Sequence, residues 1–272
     1  MPELAVEQTV FGLAASAAPR AVVLGVPLDI SDGCRAGGGN GPAAVRELSR
    51  ALEAYSPQLR RDLREVEFAD LGDLDLPEDL GPAVERVEAA VAEQIGRARI
   101  PILLGGEHTL SAGAVRAAAA HRDNLVLLHV DAHTDLRSEY EGEVLSRATW
   151  IRHAGFPLDR VVQLGIRSEP GDRAVSPAHL SSTLELPRAL LEGRPVYLTL
   201  DIDVLDPAAA PGVLCPEPGG PSFAELLAFV HALAGLEIVG ADIVEVAPDT
   251  DPAGLTALAA AKLLRELLLL LA

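Results

Sequence analysis

The sequence contains too few cysteines for a disulfide framework or for a metal site built from thiolates. Cys34 and Cys215 are the two cysteines among 272 residues, and their separation matches no metal-binding spacing. We expect both thiols to be reduced. The first residues, Met1–Leu4, lack the basic and then apolar pattern of a secretory signal, and the expected location is cytoplasmic.

Basic residues are also scarce, since 22 Lys and Arg stand against 40 Asp and Glu, a net charge of −18. This charge repels phosphate backbones and anionic lipid surfaces, so we expect neither nucleic acid nor a membrane as partner. It can attract a small cationic molecule. The leucine-rich end, Leu263–Leu271, is too short for a bilayer and is interrupted by Arg265 and Glu266. It predicts a helix that is buried or faces another subunit.

The chain also lacks a flexible linker, an internal repeat and a low-complexity tract. Its hydrophobic content of 49% and mean hydropathy of +0.24 indicate a globular protein with a sizeable core. Strand-like and helix-like segments alternate throughout, which is typical of α/β proteins. We predict a single α/β domain over residues 1–272.

Apolar runs bounded by turn residues predict the secondary structure. The predicted strands are Ala21–Val26, Arg64–Phe68, Ile100–Leu104, Leu125–Val130, Arg160–Leu164, Val196–Leu200 and Glu237–Val244. The predicted helices are Pro42–Ala54, Pro82–Arg99, Ser111–Ala120, Ser222–Leu233 and Leu255–Leu271. Because helical crossovers make such strands parallel, their carboxyl ends open on one sheet edge, where α/β proteins place their sites.

Three polar clusters directly follow three of these strands. The clusters contain six candidate metal ligands: His108, Asp131, His133, Asp135, Asp201 and Asp203. Four carboxylates without a cation would be unfavourable, because each like-charge pair at about 4 Å repels by about 4 kcal/mol at an effective dielectric of about 20. Two divalent cations would balance these charges while the imidazoles stay neutral as nitrogen ligands.

The ligand set favours manganese and also admits iron, nickel, cobalt or zinc, whereas calcium and magnesium suit histidine poorly. The alternative is that these residues only satisfy hydrogen bonds of loops, as Asp often does. Three clusters at three strand ends favour the metal interpretation.

The segment Leu136–Ser146 lacks periodicity and is expected to form a wall or lid over the pocket. The glycine-rich run 37–42 lacks the Lys-Ser/Thr ending of a phosphate loop.

Two further polar residues, Glu245 and His129, lie in or directly after predicted strands and have either a structural role or a role in the site. Glu245 is a lone carboxylate at the end of a buried strand and needs a partner, either a ligand or a structural arginine. His129 lies inside a strand and is predicted to be a core histidine with a hydrogen-bond partner rather than a support for the site. Surface positions are expected for the other histidines: His121, His153, His179 and His231.

The motifs together resemble the ureohydrolases: arginases, agmatinases, formiminoglutamases and guanidino-acid hydrolases. The resemblance spans most of the chain and is carried by five segments. They are Gly105–Thr109, Asp131–Asp135, Leu200–Pro207, Pro211–Gly212 with Glu217–Gly220, and Glu245–Pro248. It implies a three-layer α/β/α arginase-like fold around a mostly parallel eight-stranded sheet, one strand more than the pattern reveals, and a homo-trimer or homo-hexamer.

The resemblance also implies two Mn²⁺ ions and their ligands. One ion would be held by His108, Asp131, Asp135 and Asp201, and the other by His133, Asp131, Asp201 and Asp203. Hydroxide supplied by the ions would attack a guanidinium carbon, Asp135 would pass its proton, and Glu245 would grip the guanidinium nitrogens. The products would be an amine and urea.

The residues after Asp135 and after Val244 resemble agmatinases more than arginases, which implies a small cationic guanidino substrate. Agmatinases usually carry histidine where Arg147 stands, and Arg147, always protonated, cannot act as a base. It could bind a substrate carboxylate instead, as a formiminoglutamase or guanidino-acid hydrolase would require. Arginase activity and a metal-binding relative with weak or no catalysis are further alternatives. Leu214 is expected to add bulk beside the pocket, next to Cys215.

Overall fold

The fold is built around one parallel sheet. The computed structural model describes residues 8–30, 35–170 and 176–272, so Cys34 lies outside the described residues. Within them, eight strands form the sheet: β1 Ala21–Val26, β4 Phe68–Asp73, β5 Ile100–Gly105, β6 Val126–Val130, β7 Val161–Leu164, β8 His179–Ser181, β9 Pro195–Asp201 and β10 Glu237–Val244. Their order in the sheet is β4-β1-β5-β10-β9-β6-β7-β8, and every pairing is parallel. Strands β2 Tyr55–Ser56 and β3 Arg61–Asp62 form a separate antiparallel pair.

Helices cover both faces of the sheet and make three layers. They are α1 Gly41–Ser49, α2 Leu80–Gly96, α3 Ser111–His121, α4 Trp150–His153, α5 Arg188–Leu191, α6 Phe223–Ala232 and α7 Leu255–Leu271. One hydrophobic cluster packs α1, α6 and α7 on one face, and another packs α2 and α3 on the other. The central strands between them are buried on both sides, which explains their uninterrupted apolar runs. The three-layer fold with an eight-stranded sheet was therefore predicted correctly.

Seven predicted elements shift by one to three residues at a boundary, the predicted strand Arg64–Phe68 and helix Pro42–Ala54 differ more, and β8 is among the short elements that were not located. The strand predicted at Arg64–Phe68 begins only at Phe68, because Asp62 caps a 3-10 turn over Leu63–Glu65 by accepting a hydrogen bond from the Arg64 N–H. Helix α1 ends at Ser49, whose hydroxyl donates to the Arg46 carbonyl instead of leaving it to the helix. The eighth strand, His179–Ser181, is a three-residue edge strand.

The C-terminal helix α7 has the predicted bounds and is buried against its own chain. Residues 263–269 are at most 2% exposed, including Arg265 and Glu266. Among the helices that the structure describes, none has both the length and the apolar character needed to cross a membrane.

Candidate metal centre and substrate pocket

The polar clusters meet at the carboxyl edge of four neighbouring strands. His108 follows β5, Asp131 follows β6, Asp201 ends β9 and Glu245 follows β10, and these strands are adjacent in the sheet order β5-β10-β9-β6. Close backbone packing helps to bring them together, since a Cβ on Gly106 would lie 1.9 Å from the Leu28 carbonyl oxygen. Glycine is therefore required just before the His108 turn.

His108 faces three carboxylates. Its Nδ1 lies 3.2 Å from an oxygen of each of Asp131, Asp135 and Asp201. Neither His108 Nδ1 nor Asp131 Oδ2 has a hydrogen-bond partner of regular geometry among the described residues, although both are buried. Ligand atoms about 2.1 Å from a shared ion lie about 3 Å apart, so this spacing fits a divalent transition metal.

A second group surrounds His133. Its Nδ1 lies 3.0 Å from Asp203 Oδ2 and 3.4 Å from Asp131 Oδ1, and its side chain is 27% exposed to the pocket. Asp131 thus presents one oxygen to each histidine. Asp201 Oδ2 faces His108, while its Oδ1 accepts a 2.8 Å hydrogen bond from the Asp203 N–H. The six predicted ligands therefore form two adjoining groups that share Asp131, and their oxygen-rich donor set fits two divalent ions.

The charges of the cluster are in conflict when the protein groups act alone. Burial, followed by repulsion from Asp203 and Asp131, raises the pKa of Asp201 well above its ordinary value. Burial also opposes the charge of Asp131, but the neighbouring His129, His108 and His133 hold its pKa well below the usual range. Divalent cations would remove this conflict by stabilising all the carboxylates in ionised form.

His108 is supported from behind by a buried hydrogen-bonded chain that the sequence analysis did not identify. His108 Nε2 lies 2.7 Å from the Thr199 hydroxyl, which donates a 2.5 Å hydrogen bond to Asp242. Tyr197 and Ser111 also donate to Asp242. The sequence could have indicated the position of Thr199, because it precedes Asp201 by two residues on the same strand and therefore lies on the same face.

The histidine assignments need two corrections. His129 is fully buried, as predicted, but its Nε2 also lies 2.8 Å from Asp131 Oδ2, so it contacts the site. The two-residue spacing from Asp131 could have indicated this. His231, expected on the surface, is only 21% exposed at its side chain and bonds to buried Glu266. His153 is exposed and contacts the Ser138 carbonyl, away from the candidate ligands.

Glu245 reaches the same pocket from β10. Its backbone is left-handed, with φ of 68°, and its Oε1 accepts a 2.6 Å hydrogen bond from the His108 N–H. Its Oε2 is buried without a hydrogen-bond partner among the described residues and lies 3.6 Å from Arg147 Nη1. Burial raises the pKa of Glu245 to about 8, against the opposing effect of Arg147. Arg147 also lies 3.9 Å from Glu107 Oε2, so two carboxylates flank its guanidinium.

The pocket above these groups has a volume of about 260 Å³. Five of the six candidate ligands, all but Asp131, line it together with Glu245, and its lining also includes Arg137, Tyr140, Arg147, Cys215 and Glu217. Arg137 and Tyr140 belong to Leu136–Ser146, which supplies a wall of the pocket. Leu214, expected beside the pocket, is fully buried and does not line it. Cys215 lines it instead.

Comparisons with known proteins agree with the resemblance. The family model described as Arginase family matches residues 19–270. Agmatinase of Bacillus anthracis is 42% identical over 91% of this chain and 90% of that protein, and guanidinobutyrase of Pseudomonas aeruginosa is 33% identical over 92% and 86%. The crystal structure of agmatine ureohydrolase of Thermoplasma volcanium has a TM-score of 0.86 at 32% identity, covering 96% of this chain and 93% of that chain. The chain therefore belongs to the arginase family.

Proposed function

We propose that this protein hydrolyses agmatine, or a closely related cationic guanidino compound, to an amine and urea with two Mn²⁺ ions. One observation carries the proposal: the two carboxylate and histidine groups face the same pocket as Glu245 Oε2, which has no hydrogen-bond partner among the described residues. A buried carboxylate oxygen without a donor suits the N–H groups of a guanidinium. The similarity to agmatinases supports this choice of substrate.

His108, Asp131, Asp135 and Asp201 would hold one ion, and His133, Asp131, Asp201 and Asp203 would hold the other. When bound, the ions would lower the pKa of water and so supply hydroxide at neutral pH. Manganese is proposed because the donors are mainly carboxylate oxygens with imidazole nitrogens.

The side chains of the protein would perform the remaining steps. Glu245 Oε2 would accept hydrogen bonds from the guanidinium and orient its carbon toward the nucleophile. The new C–O bond would form as Asp135 takes the proton of the hydroxide, and Asp135 would then protonate the departing amine as the C–N bond breaks. Trp150 donates a 2.8 Å hydrogen bond to Asp135 Oδ2 and would hold this carboxylate in place.

Arg147 is the main difference from the agmatinase motif, and its surroundings favour a cationic substrate. Its guanidinium lies between Glu245 and Glu107. The three groups carry formal charges that sum to −1, and a substrate guanidinium would balance them. We propose that Arg147 assists substrate binding indirectly. Its positive charge partly neutralises Glu245 and Glu107, and it does not itself contact a substrate carboxylate.

A guanidino acid is the second candidate, and one observation favours it. Arg137 is exposed at the pocket, with its guanidinium carbon 5.6 Å from the centre of the Tyr140 ring, and could receive a carboxylate tail. The similarity to guanidinobutyrase is consistent with this alternative.

The test is to compare urea release from agmatine, guanidinobutyrate and arginine, and formamide release from formiminoglutamate, by the manganese-reconstituted protein. We expect the highest kcat/KM with agmatine. Arg147→Gln should raise KM for every substrate by about tenfold, the effect of about 1.4 kcal/mol. The reason is that Glu245 would lose the positive charge that favours its ionised form. Arg137→Gln is the matched variant, because it removes the other pocket arginine. A preference for guanidinobutyrate that disappears in Arg137→Gln would establish the second candidate, and its disappearance in Arg147→Gln would contradict the role given to Arg147.

We also infer that the chain is one domain, acts in the cytoplasm and forms a homo-trimer or homo-hexamer. An apolar surface groove lined by Leu52, Phe223, Leu255 and Leu258 supports self-association, since Leu255 is 49% exposed. Light scattering coupled to gel filtration tests the subunit number. A monomer at micromolar concentration would contradict the inference.

A further inference from the structure

We propose that His129 is a positioning residue that holds Asp131 through an Nε2–H donor, and that Gln163 fixes this arrangement. The inference rests on the proposed metal centre. The ring of His129 is fully buried on β6, with Nε2 2.8 Å from Asp131 Oδ2 and 3.8 Å from Asp135 Oδ2. His129 groups with His108, Asp131 and Asp135 as a possible metal ligand. A ligand and a hydrogen-bond donor need opposite states of Nε2, because a protonated ring nitrogen has no lone pair to offer.

Gln163 on β7 decides between these states. Its amide Nε2 lies 2.7 Å from the carbonyl oxygen of Thr134, a group that can only accept. Rotating the amide by half a turn would place two acceptor oxygens 2.7 Å apart, so the nitrogen must face Thr134. The same nitrogen lies 2.9 Å from His129 Nδ1. Its second N–H therefore donates to Nδ1, which must carry no proton.

The proton of the imidazole consequently resides on Nε2, the atom that faces Asp131. The separation of 2.8 Å suits a charge-assisted hydrogen bond, although the geometry in the structure falls short of a regular one. The other oxygen of Asp131 accepts a 2.6 Å hydrogen bond from the His133 N–H. Asp131, which both candidate ion sites share, is thus approached by a donor at each oxygen.

The surroundings of His129 keep the ring in this orientation. It stacks on the His108 ring at 5.2 Å and meets the edge of Trp150 at 5.9 Å. Gln163 links β7 to both the His129 ring and the carbonyl between His133 and Asp135. Removing an outer partner of this kind typically weakens metal binding by about 10- to 100-fold.

Binding of Mn²⁺ to the chelator-treated protein tests the proposal without reference to turnover. His129→Leu removes the donor and should weaken binding by about 10- to 100-fold. His129→Gln is the matched variant, because its amide nitrogen replaces Nε2 and can donate but cannot coordinate; it should restore binding to within about threefold of the wild type. Denaturant unfolding of each metal-free variant identifies one that fails to fold.

The outcomes separate the roles. If His129 were a ligand, His129→Gln would bind as weakly as His129→Leu, and that result would overturn the proposal. Wild-type affinity in His129→Leu would also overturn it, by removing any role toward the metal. Absence of hydrolysis with all tested substrates would count against the proposed function alone, because the binding measurements would stand.

A spectroscopic measurement checks the proton position and does not depend on the folding of the His129 variants. In ¹⁵N-histidine-labelled protein loaded with zinc, a diamagnetic ion, we expect the resonances of His129 to show protonated Nε2 and unprotonated Nδ1. Gln163→Glu removes both amide donors and should move the proton to Nδ1, since a carboxylate accepts from it. Protonated Nδ1 in the wild-type protein would overturn the assignment.

Discussion

Two buried clusters of charged residues among the described residues differ in how their polar atoms are satisfied. The helix α7 cluster consists of Arg265, Glu266, His231 and Ser56. Glu266 Oε1 accepts two hydrogen bonds from Arg265, and its Oε2 accepts one from Ser56 and contacts His231 Nε2 at 2.9 Å. In the cluster at the sheet edge, by contrast, His108 Nδ1, Asp131 Oδ2 and Glu245 Oε2 have no hydrogen-bond partner among the described residues.

Burial of charge therefore has two different meanings in this chain. Removing an ion from water costs several kcal/mol, and the helix α7 cluster offsets this cost with its own hydrogen bonds. The cluster at the sheet edge has more carboxylates than cationic groups, and several of its buried polar atoms have no hydrogen-bond partner among the described residues. Such a site requires a ligand from outside the chain. Neutralising a carboxylate should therefore have opposite effects on stability and activity in the two clusters.

Asp201→Asn should have the largest effect on activity. It removes a proposed ligand of both ions, and kcat/KM should fall by at least about 10³-fold, because bound ions contribute several kcal/mol to the transition state. After a chelator has removed the metal ions, the Asp201→Asn protein should nevertheless unfold at a higher urea concentration than the wild type treated in the same way. The reason is that the variant loses the repulsion among Asp131, Asp201 and Asp203. Exposed Asp159 provides the control Asp159→Asn, which should change neither value. A less stable chelated Asp201→Asn would contradict this account.

Glu266→Gln should have the converse effect. Loss of the charge leaves buried Arg265 without its counterion and should lower the free energy of unfolding by about 3 kcal/mol. Residues of the helix α7 cluster do not line the pocket, so kcat/KM of the folded variant should stay within about twofold of the wild type. Exposed Glu192, changed to Gln, is the control for stability. A large loss of activity at unchanged stability would break the distinction between the clusters.

Elements with local sequence patterns were the ones that could be predicted. The bounds of α7 and β10 were correct, because an uninterrupted helical pattern and a continuous apolar run specify them without help from distant residues. The start of β4 was wrong. This strand contains buried Asp70, which is tolerated because Arg46 pairs with it at 2.8 Å from another element. No local pattern reveals such a partner.

The same distinction applies to the candidate site. The motifs directly after β5, β6 and β9 predicted which side chains would meet, since parallel strands end at a common edge. The support of His108 by Thr199 and Asp242, and the contact of Gln163 with His129, depend on the lateral order of the strands. The position of Arg147 between Glu107 and Glu245 depends on a loop without periodicity. Sequence patterns contain none of this information.

Thr199→Val tests a residue that belongs to both kinds of environment, because Thr199 satisfies Asp242 and also contacts His108. The nearly isosteric change removes the hydroxyl, so Mn²⁺ binding should weaken by about tenfold. It also leaves Asp242 without one donor, which should cost about 1–3 kcal/mol of stability. Thr199→Ser retains the hydroxyl and should behave like the wild type. If Thr199→Val lowered stability alone, His108 would not need this support.

The smallest expected effects are opposite pH trends of the two clusters in chelated protein. Burial alone would raise the pKa of Glu266, but hydrogen bonds from Ser56, Arg265 and His231 hold it below its ordinary value of 4.5. Its stabilisation is therefore present above pH 4.5 and is lost as the pH falls through the lower, folded-state pKa. For Asp201 the folded-state pKa is raised above 3.8 by burial and by Asp203 and Asp131. Its contribution is present below pH 3.8 and is lost as the pH rises toward the raised value.

Urea unfolding of the chelated protein between pH 3 and pH 8 would separate these two contributions. Glu266→Gln should flatten the rise in stability on the acidic side, and Asp201→Asn should flatten the decline at higher pH. The reason is that each substitution removes the group whose proton uptake differs between the folded and unfolded states. If Asp201→Asn left the decline above pH 4 unchanged, repulsion among the carboxylates at the sheet edge would not be its cause, and the contrast between a satisfied cluster and an unsatisfied one would lose its electrostatic basis.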